Sequence, residues 1–592
     1  MGELDGQDGG AAPAAEAPVG APVGTGENGL QQADLDEQDR RERSLRALDR
    51  TAPALCRRLR LGAQPGVVER RAGEAVVSRG GGFVRLGLSP AARAAALARA
   101  AEPGEPILVM GVGDGALIVD LLNAGHSFTA WEPDPSVLWH LLGAVELEAA
   151  LGSGALRLLL GPDLLRVRGR PSRDLVHPVV EHSHGPQLLA LRARPEAPVA
   201  LVCSGGLFVT DLCAALEVQG WMPWVIETSG IALEELTYAL QLSGAKLVAR
   251  INTMQGLTDL CNSVGVPLLV WEIDPCLDHI LPPKRPAPRA WIFTYREQNV
   301  RSYRSRGHLN VEHLALAAPP HRRPLTSEEM ADPRWLPADG LGWETGLSFV
   351  GGSLLPKVQT YVDAAKELTA AYLVKLGRPA EAAPVLLDQL VAIQRQDFDQ
   401  WRLPALLDGA LPGLRDLVRR ERGGVDLALW LGELVAAERR LSHVSALGPL
   451  GVQVWGDAGW QRIHGGGVVY RGFAGHLHQL TRIYNGARVH IDINRIYQRD
   501  IITMRVFDVL ASGGFLLAEH SPGLERCFVI GKEIETWRTQ AELVAKARHY
   551  LAHPEAARRI AEAGRARVLR DHQFDDRVRH MLRVMGLSQP SP

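Results

Sequence analysis

The chain has 592 residues, 46% of them apolar and 22% charged, with a formal net charge of −2. That length exceeds what one hydrophobic core organises, so three or four domains are expected, and the near-neutral balance excludes a field that would hold nucleic acid. Six cysteines at positions 56, 203, 213, 261, 276 and 527 form no C-x-x-C pair, which fits buried thiols in a reducing compartment better than a disulfide framework or a zinc site. No run reaches the ~18 apolar residues of a membrane helix and the N-terminus has no basic leader region, so a cytoplasmic protein without an integral membrane segment is expected.

Residues 1–38 are rich in Gly, Ala, Pro and acids and read as a disordered tail. An Arg-rich helical stretch follows to Leu61, broken at Pro53, its basic face read as solvated. From Pro106, PILVMGVGDGALIVDLLNAG reads as a buried strand, a glycine loop and a helix, and FTAWEPDP as a second strand ending in Glu132. Gly111, Gly113 and Gly115 permit close backbone approach, and a carboxylate 21 residues beyond Gly111 is placed to hold a ribose. RPSRDLVHPVVEHSHGPQ, with His177, His182 and His184, reads as a connector, and no carboxylate or cysteine joins those histidines at metal-ligand spacing.

The strand and helix alternation restarts at Pro198 and runs to Ala318, which predicts a parallel, doubly wound sheet. Its strand-end candidates are the Ser204-Gly205-Gly206 loop and Asp274. GLSFVGGS opens another strand and glycine loop at Gly351 and Gly352, with Lys357 close behind. Residues 355–445 carry helical apolar stripes, and the strand pattern resumes at VQVWGD. ARVHIDINR ends a strand in His490, Asp492, Asn494 and Arg495. In IITMRVFDVLASGGFLLAEHSPGLE, helical spacing gathers Met504, Val506, Phe507, Leu510 and Ala511 on one side and Arg505, Asp508 and Ser512 on a polar side. Gly513 and Gly514 stop that helix, and FLLA runs into a strand-end loop holding Gly523, Leu524 and Glu525.

Two resemblances arise from these residues. The run Arg505 to Leu517, followed by Gly523-Leu524-Glu525, resembles the nucleotide-sugar half of GT-B glycosyltransferases, in the spore-maturation (CgeB-like) branch of the group 1 family. Two departures stand out: Asp508 replaces the family's helix glutamate, and no arginine follows the Gly351 loop. The 106–165 stretch, with Gly111, Gly113, Gly115, Glu132 and Asp163, resembles the front half of a class I methyltransferase.

The resemblances imply a multi-domain α/β protein with two Rossmann-like GT-B halves, an N-terminal Rossmann-like domain and a helical insertion. The expected boundaries are a tail at 1–38, a helix plus methyltransferase-like domain at 39–197, an acceptor-side domain at 198–330 and a nucleotide-sugar domain at 346–592 with the insertion at 355–445. They further imply transfer of a sugar from a nucleotide diphosphate sugar to a glycan, protein or lipid acceptor, without metal and with retention. Arg505, Asp508 and Asp274 would be catalytic. Gly351, Gly352, Lys357, Asn494, Arg505, Asp508, Gly523, Leu524 and Glu525 would hold the donor, and Ser204, Gly205 and Gly206 would face the acceptor. Gly111, Gly113, Gly115, Glu132 and Asp163 would form an S-adenosylmethionine-type site. The alternatives are a methyltransferase acting on a glycan and a non-catalytic assembly protein with the same fold.

Overall fold

The computed structural model describes residues 26–64, 67–71, 73–79, 82–204, 207–226, 228, 233–274, 282–337, 340–398, 400–421, 425–463, 465–476 and 478–588. The chain forms two compact units, one of Met1–Gly205 with Gly220–Ala249 and one of Gly206–Gln219 with Arg250–Ser591. It is multi-domain α/β with parallel sheets. Among the described residues no helix is long and apolar enough to cross a membrane.

The first unit opens with a helix, Gly26–Thr51, that begins inside the stretch read as tail; residues 1–25 lie outside the described residues. Leu45 and Leu48 bury one side of it, and an i,i+4 pair of Glu37 with Arg41 supports its outer turns. Arg46, Arg50, Arg57 and Arg60 are exposed as expected, whereas Arg40 and Arg41 turn inward: Arg40 Nε donates to Gly143 O at 2.8 Å and Arg41 Nε to Trp139 O at 3.2 Å. Pro53 starts the next helix, Pro53–Gly62, as expected.

An antiparallel meander follows, β1 (Val68–Arg71), β2 (Glu74–Arg79) and β3 (Gly82–Arg85). Next comes a parallel sheet of β4 (Ile107–Met110), β5 (Phe128–Glu132), β6 (Leu156–Leu160) and β7 (Arg173–Val176), in the order β6-β5-β4-β7. The stretch read as a connector supplies β7 and the helix Pro178–Ala193. Its four-residue strand is too short to show a period in sequence. β8 (Val199–Cys203) pairs in parallel with β9 (Met222–Ile226), and the division between units falls within β10 (Leu247–Ile251).

In the second unit β11 (Leu268–Glu272), β12 (Ala290–Thr294) and β13 (Asn310–His313) pair in parallel. β14 (Thr345–Val350), β15 (Val452–Trp455), β16 (Val469–Tyr470), β17 (Ala487–Ile491), β18 (Leu516–Glu519) and β19 (Glu535–Trp537) form a six-stranded parallel sheet ordered β16-β15-β14-β17-β18-β19. Leu347, Phe349, Val454, Val489, Ile491 and Leu517 are buried in its core, which is why these strands read as unbroken apolar runs. Between β14 and β15 five helices, Leu355–Lys375 to Leu427–Ala446, enclose a core of their own.

From β14 the chain crosses to β15 on one side and later returns to β17 on the other. The gap beyond the ends of β14 and β17 is therefore the sheet's topological switch point, where open α/β sheets bind ligands. The helix Pro554–Asp571 runs unbroken through Gly564, where a side chain would stand 2.2 Å from Glu533 O and 2.8 Å from Leu510 Cδ2. The last helix, Phe574–Val584, packs beside Ala318 and Trp271. Phe574 N donates to Ala318 O at 2.9 Å, and its ring lies 4.7 Å from that of Trp271.

Candidate active site

The switch-point crevice is built from two strand ends and two helices. β14 runs out through Gly351, Gly352 and Ser353 into the helix Leu355–Lys375, with Leu354 held at φ 72°. A left-handed leucine is uncommon, and such residues gather where the surrounding structure needs the turn. Ser353 N donates to Asp457 Oδ2 at 2.7 Å, which ties this loop to the end of β15. The N–H of Gly352 has no partner among the described residues. β17 runs out through Asp492, Ile493 and Asn494.

Arg505, in the first turn of the helix Met504–Ala511, bridges the two strand ends. Its Nε donates to Val350 O at 2.8 Å, and its Nη1 pairs with Asp492, which also accepts from Thr503 Oγ1 at 3.0 Å. Its Nη2 lies over Gly351, where a Cβ would stand 2.8 Å from it. Glycine at 351 is thus what lets the guanidinium approach the loop.

The helix Leu427–Ala446, expected to be plain core, sends two arginines under this crevice. Arg439 and Glu519 form a fork-to-fork pair, 2 and 0% exposed, with Nη2 to Oε1 at 2.6 Å and Nη1 to Oε2 at 3.1 Å. Glu519 Oε2 also accepts Asn494 N at 2.9 Å, so one buried carboxylate fixes the loop after β17. Arg440 donates to Gly352 O at 2.7 Å and to Ile493 O at 2.9 Å. Burial, then the charges of Arg495 and Arg505, push its pKa down to about 9. Arg495 pairs with Glu433 at 2.9 Å. The run Glu438-Arg439-Arg440 in an otherwise apolar helix was the signal for these residues in sequence.

Beneath the loops His490 lies between Ser348 Oγ, 2.7 Å from its Nδ1, and Tyr484 O, 3.1 Å from its Nε2. Full burial holds its pKa down at about 4, so the ring is neutral, with its proton on Nε2 facing the carbonyl.

The other expected donor residues fare differently. Asp508 is not on an open polar face: residues 506–511 are all buried, and Asp508 lies 3.4 Å from the guanidinium of buried Arg322, which arrives from the segment after Ala318. Asp508 Oδ1 has no hydrogen-bond partner among the described residues. Asn494 is buried at the end of β17, its Oδ1 likewise without a partner among the described residues. Lys357 is exposed in the first turn of its helix. Leu524, 1% exposed, is core, and its N–H serves Ser521 Oγ, so its side chain is not presented to a donor. Gly523 packs against Ile502 and the carbonyl of Asp500. Glu525 is exposed and accepts His520 Nε2 at 2.6 Å, a hydrogen bond that holds its pKa below the usual carboxylate range.

On the acceptor side, exposed Asp274 is held by Asn252, whose Nδ2 donates to Asp274 Oδ2 at 3.0 Å. Gly205 and Gly206 lie outside the described residues, and Ser204 Oγ accepts Thr228 N at 3.2 Å.

The glycine loop of the first unit packs closely against its own chain. A Cβ on Gly111 would be 2.7 Å from His177 Cβ and Val180 Cγ2, one on Gly113 2.6 Å from Leu86 O, and one on Gly115 2.6 Å from Val145 Cγ2. These glycines make room for the chain's own atoms. His177, directly after β7, bonds Leu86 O at 3.0 Å through Nε2. Glu132 accepts the N–H groups of Val112 and Asp134 at 3.0 and 3.1 Å. Asp163 is engaged by Arg58 at 2.7 Å, Tyr238 at 2.5 Å and Arg166 at 3.0 Å.

Residues 433–583 match the family described as glycosyl transferase-like. The second half of the chain therefore carries a glycosyl transferase-like domain, and the matched stretch contains Arg439, Arg440, Asp492, Arg505 and Glu519. No curated protein matches the chain. Among solved structures, a sucrose-phosphate synthase from Thermosynechococcus elongatus is 13% identical at a TM-score of 0.36, covering 66% of this chain and 98% of that one. A glycosyltransferase from Rickettsia africae is 10% identical at 0.36, over 67% and 100%. Anabaena HepE in complex with UDP-glucose is 10% identical at 0.36, over 66% and 99%. Likenesses at this level carry no argument about the chemistry of this chain.

Proposed function

We propose that the chain is a GT-B glycosyltransferase of the CgeB-like branch, taking the sugar of a nucleotide diphosphate sugar at the β14/β17 crevice and passing it to a hydroxyl acceptor. The observation that carries this reading is Arg505, which presents Nη2 over Gly351 at the switch point of a domain that matches the glycosyl transferase-like family. The donor's diphosphate would lie at the N-terminus of the helix Leu355–Lys375, beside Gly352 N–H, Lys357 and Arg505. As the bond from the anomeric carbon to the diphosphate oxygen breaks, negative charge grows on that oxygen. Fixed N–H groups and a fixed guanidinium stabilise it without reorganising. The acceptor oxygen bonds to the anomeric carbon and gives up its proton.

In this reading Asp274, oriented by Asn252, serves the acceptor, with 198–330 as the acceptor side and 346–592 as the donor side. Asn494 and Asp508, each with an oxygen free of protein partners among the described residues, take donor hydroxyls. Transfer needs no divalent metal. Of the two strand-end pairs that imitate a metal-binding D-x-D turn, Glu272 is buried and engaged by Thr294, Asn299 and Tyr303, and Glu132 by backbone N–H groups. Retention at the anomeric carbon is carried by the resemblance alone.

The test is a thermal-shift and nucleotide-release screen of the full chain against UDP-, GDP-, dTDP- and ADP-sugars, with and without EDTA. A donor at 100 times its Kd should add about 2.7 kcal/mol of stability. Absence of any shift and any release at millimolar donor would refute the reading.

A further inference from the structure

The Gly351 loop carries no cation of its own before Lys357: positions 351–356 read Gly-Gly-Ser-Leu-Leu-Pro. The charge is brought in from below. Arg440 reaches up from the helix Leu427–Ala446 and bonds both lips of the crevice, Gly352 O at the end of β14 and Ile493 O at the end of β17. Its neighbours are neutralised: Arg439 by Glu519, Arg495 by Glu433 and Arg505 by Asp492. Arg440, 6% exposed, hydrogen-bonds only carbonyl oxygens among the described residues and lies 5.7 Å over the Phe349 ring, and its Nε has no partner among the described residues.

A buried guanidinium that hydrogen-bonds carbonyl oxygens and no carboxylate is unfavourable. Such an arrangement persists where an anion is to be received, because the incoming charge compensates the buried cation. A diphosphate has the matching chemistry, with two to three negative charges and no need of a side-chain donor beneath it. We propose that Arg440 is the positioning cation of the crevice: it clamps the two strand ends together and supplies, through the Gly352 loop, the positive potential that selects a diphosphate over an uncharged nucleoside. This rests on the glycosyltransferase reading and deepens it, since it makes the helical insertion part of the donor site. Arg505 touches the ligand; Arg440 acts from behind the loop.

The experiment uses the full chain at pH 7 and reads binding of inorganic pyrophosphate, UDP and uridine by calorimetry. Arg440→Met should lose at least tenfold in affinity for pyrophosphate and UDP while changing affinity for uridine less than threefold, a ratio that a merely structural role would not move. Arg440→Lys keeps the charge at pH 7, but a buried lysine gives up its proton more readily than arginine. Its pyrophosphate affinity should therefore fall between pH 7 and 8.5 more steeply than that of the wild type. This variant carries the test if Arg440→Met does not fold. Equal pyrophosphate binding by folded Arg440→Met, or a pH-independent Arg440→Lys, would overturn the role of Arg440 alone. A wild type that binds neither pyrophosphate nor UDP nor any donor of the screen would overturn the glycosyltransferase reading itself.

Discussion

Two glycine loops in this chain follow the same local plan, a buried parallel strand, a glycine turn and a helix, and they end in opposite states. At Gly111–Gly115 all three glycines have positive φ and give their room to the chain's own His177, Val180, Leu86 and Val145. At Gly351–Gly352 neither glycine has positive φ, and the room goes to the end of Arg505 and the carboxylate of Asp457. The loop with the richer glycine signature is the closed one. Glycine content reports only that something comes close to the backbone; the residue after the neighbouring strand decides what. After β7 that residue is His177, which fills the first loop. After β17 it is Asp492, which turns Arg505 toward the second.

The comparison predicts where substitutions hurt. The largest effect is expected at the floor of the second loop. Glu519→Ala leaves Arg439 buried without its counter-ion, at a cost of about 3–5 kcal/mol in urea unfolding. Asp508→Ala should cost about 3 kcal/mol, because Arg322 loses a buried neighbour. A loss under about 1 kcal/mol, the range of a surface carboxylate, would return Asp508 to a solvated role.

Acid sharpens the contrast next. His177 and His490 both have pKa values depressed by burial, His490 to about 4. The unfolded chain, with histidine near 6.5, binds the proton first, so stability falls as pH drops from about 6.5 towards 4. His490 alone accounts for about 3 kcal/mol of that loss. His490→Gln should flatten the profile in that window, and an unchanged profile would show that the ring is already protonated in the fold.

A smaller effect separates the loops directly. Gly113→Ala forces a methyl against Leu86 O at a positive φ and should lose about 1–3 kcal/mol, leaving nucleotide-sugar binding intact. Gly351→Ala meets the Nη2 end of Arg505 at 2.8 Å and the edge of the buried Phe349 ring at 3.2 Å, at an ordinary φ. It should cost about 1–2 kcal/mol and weaken donor binding tenfold, read by calorimetry.

Much of this was legible in the sequence, for reasons that the structure explains. Strands such as FLLA and SFV are buried and read as apolar runs; Pro53 marked its helix boundary; Arg505 was read on the polar side of its helix, and it meets Val350 O and Asp492. What stayed hidden depends on contacts distant in sequence. Nothing near Asp508 announces that Arg322 will cover it, and an apolar stripe at 427–446 hides the two arginines that turn inward at its end. His177 looked like one of three scattered histidines because β7 before it is only four residues long.

The central claim is that nucleotide enters the second glycine loop and not the first. Hydrogen–deuterium exchange of the full chain, with and without the nucleotide sugar that stabilises it most and separately with S-adenosylmethionine, tests it directly. Slower exchange at 350–358 and 492–506 with the nucleotide sugar, and no change at 107–116 with either ligand, is the predicted result. Protection of 107–116 by S-adenosylmethionine, with 350–358 unmoved by every nucleotide sugar, would contradict it.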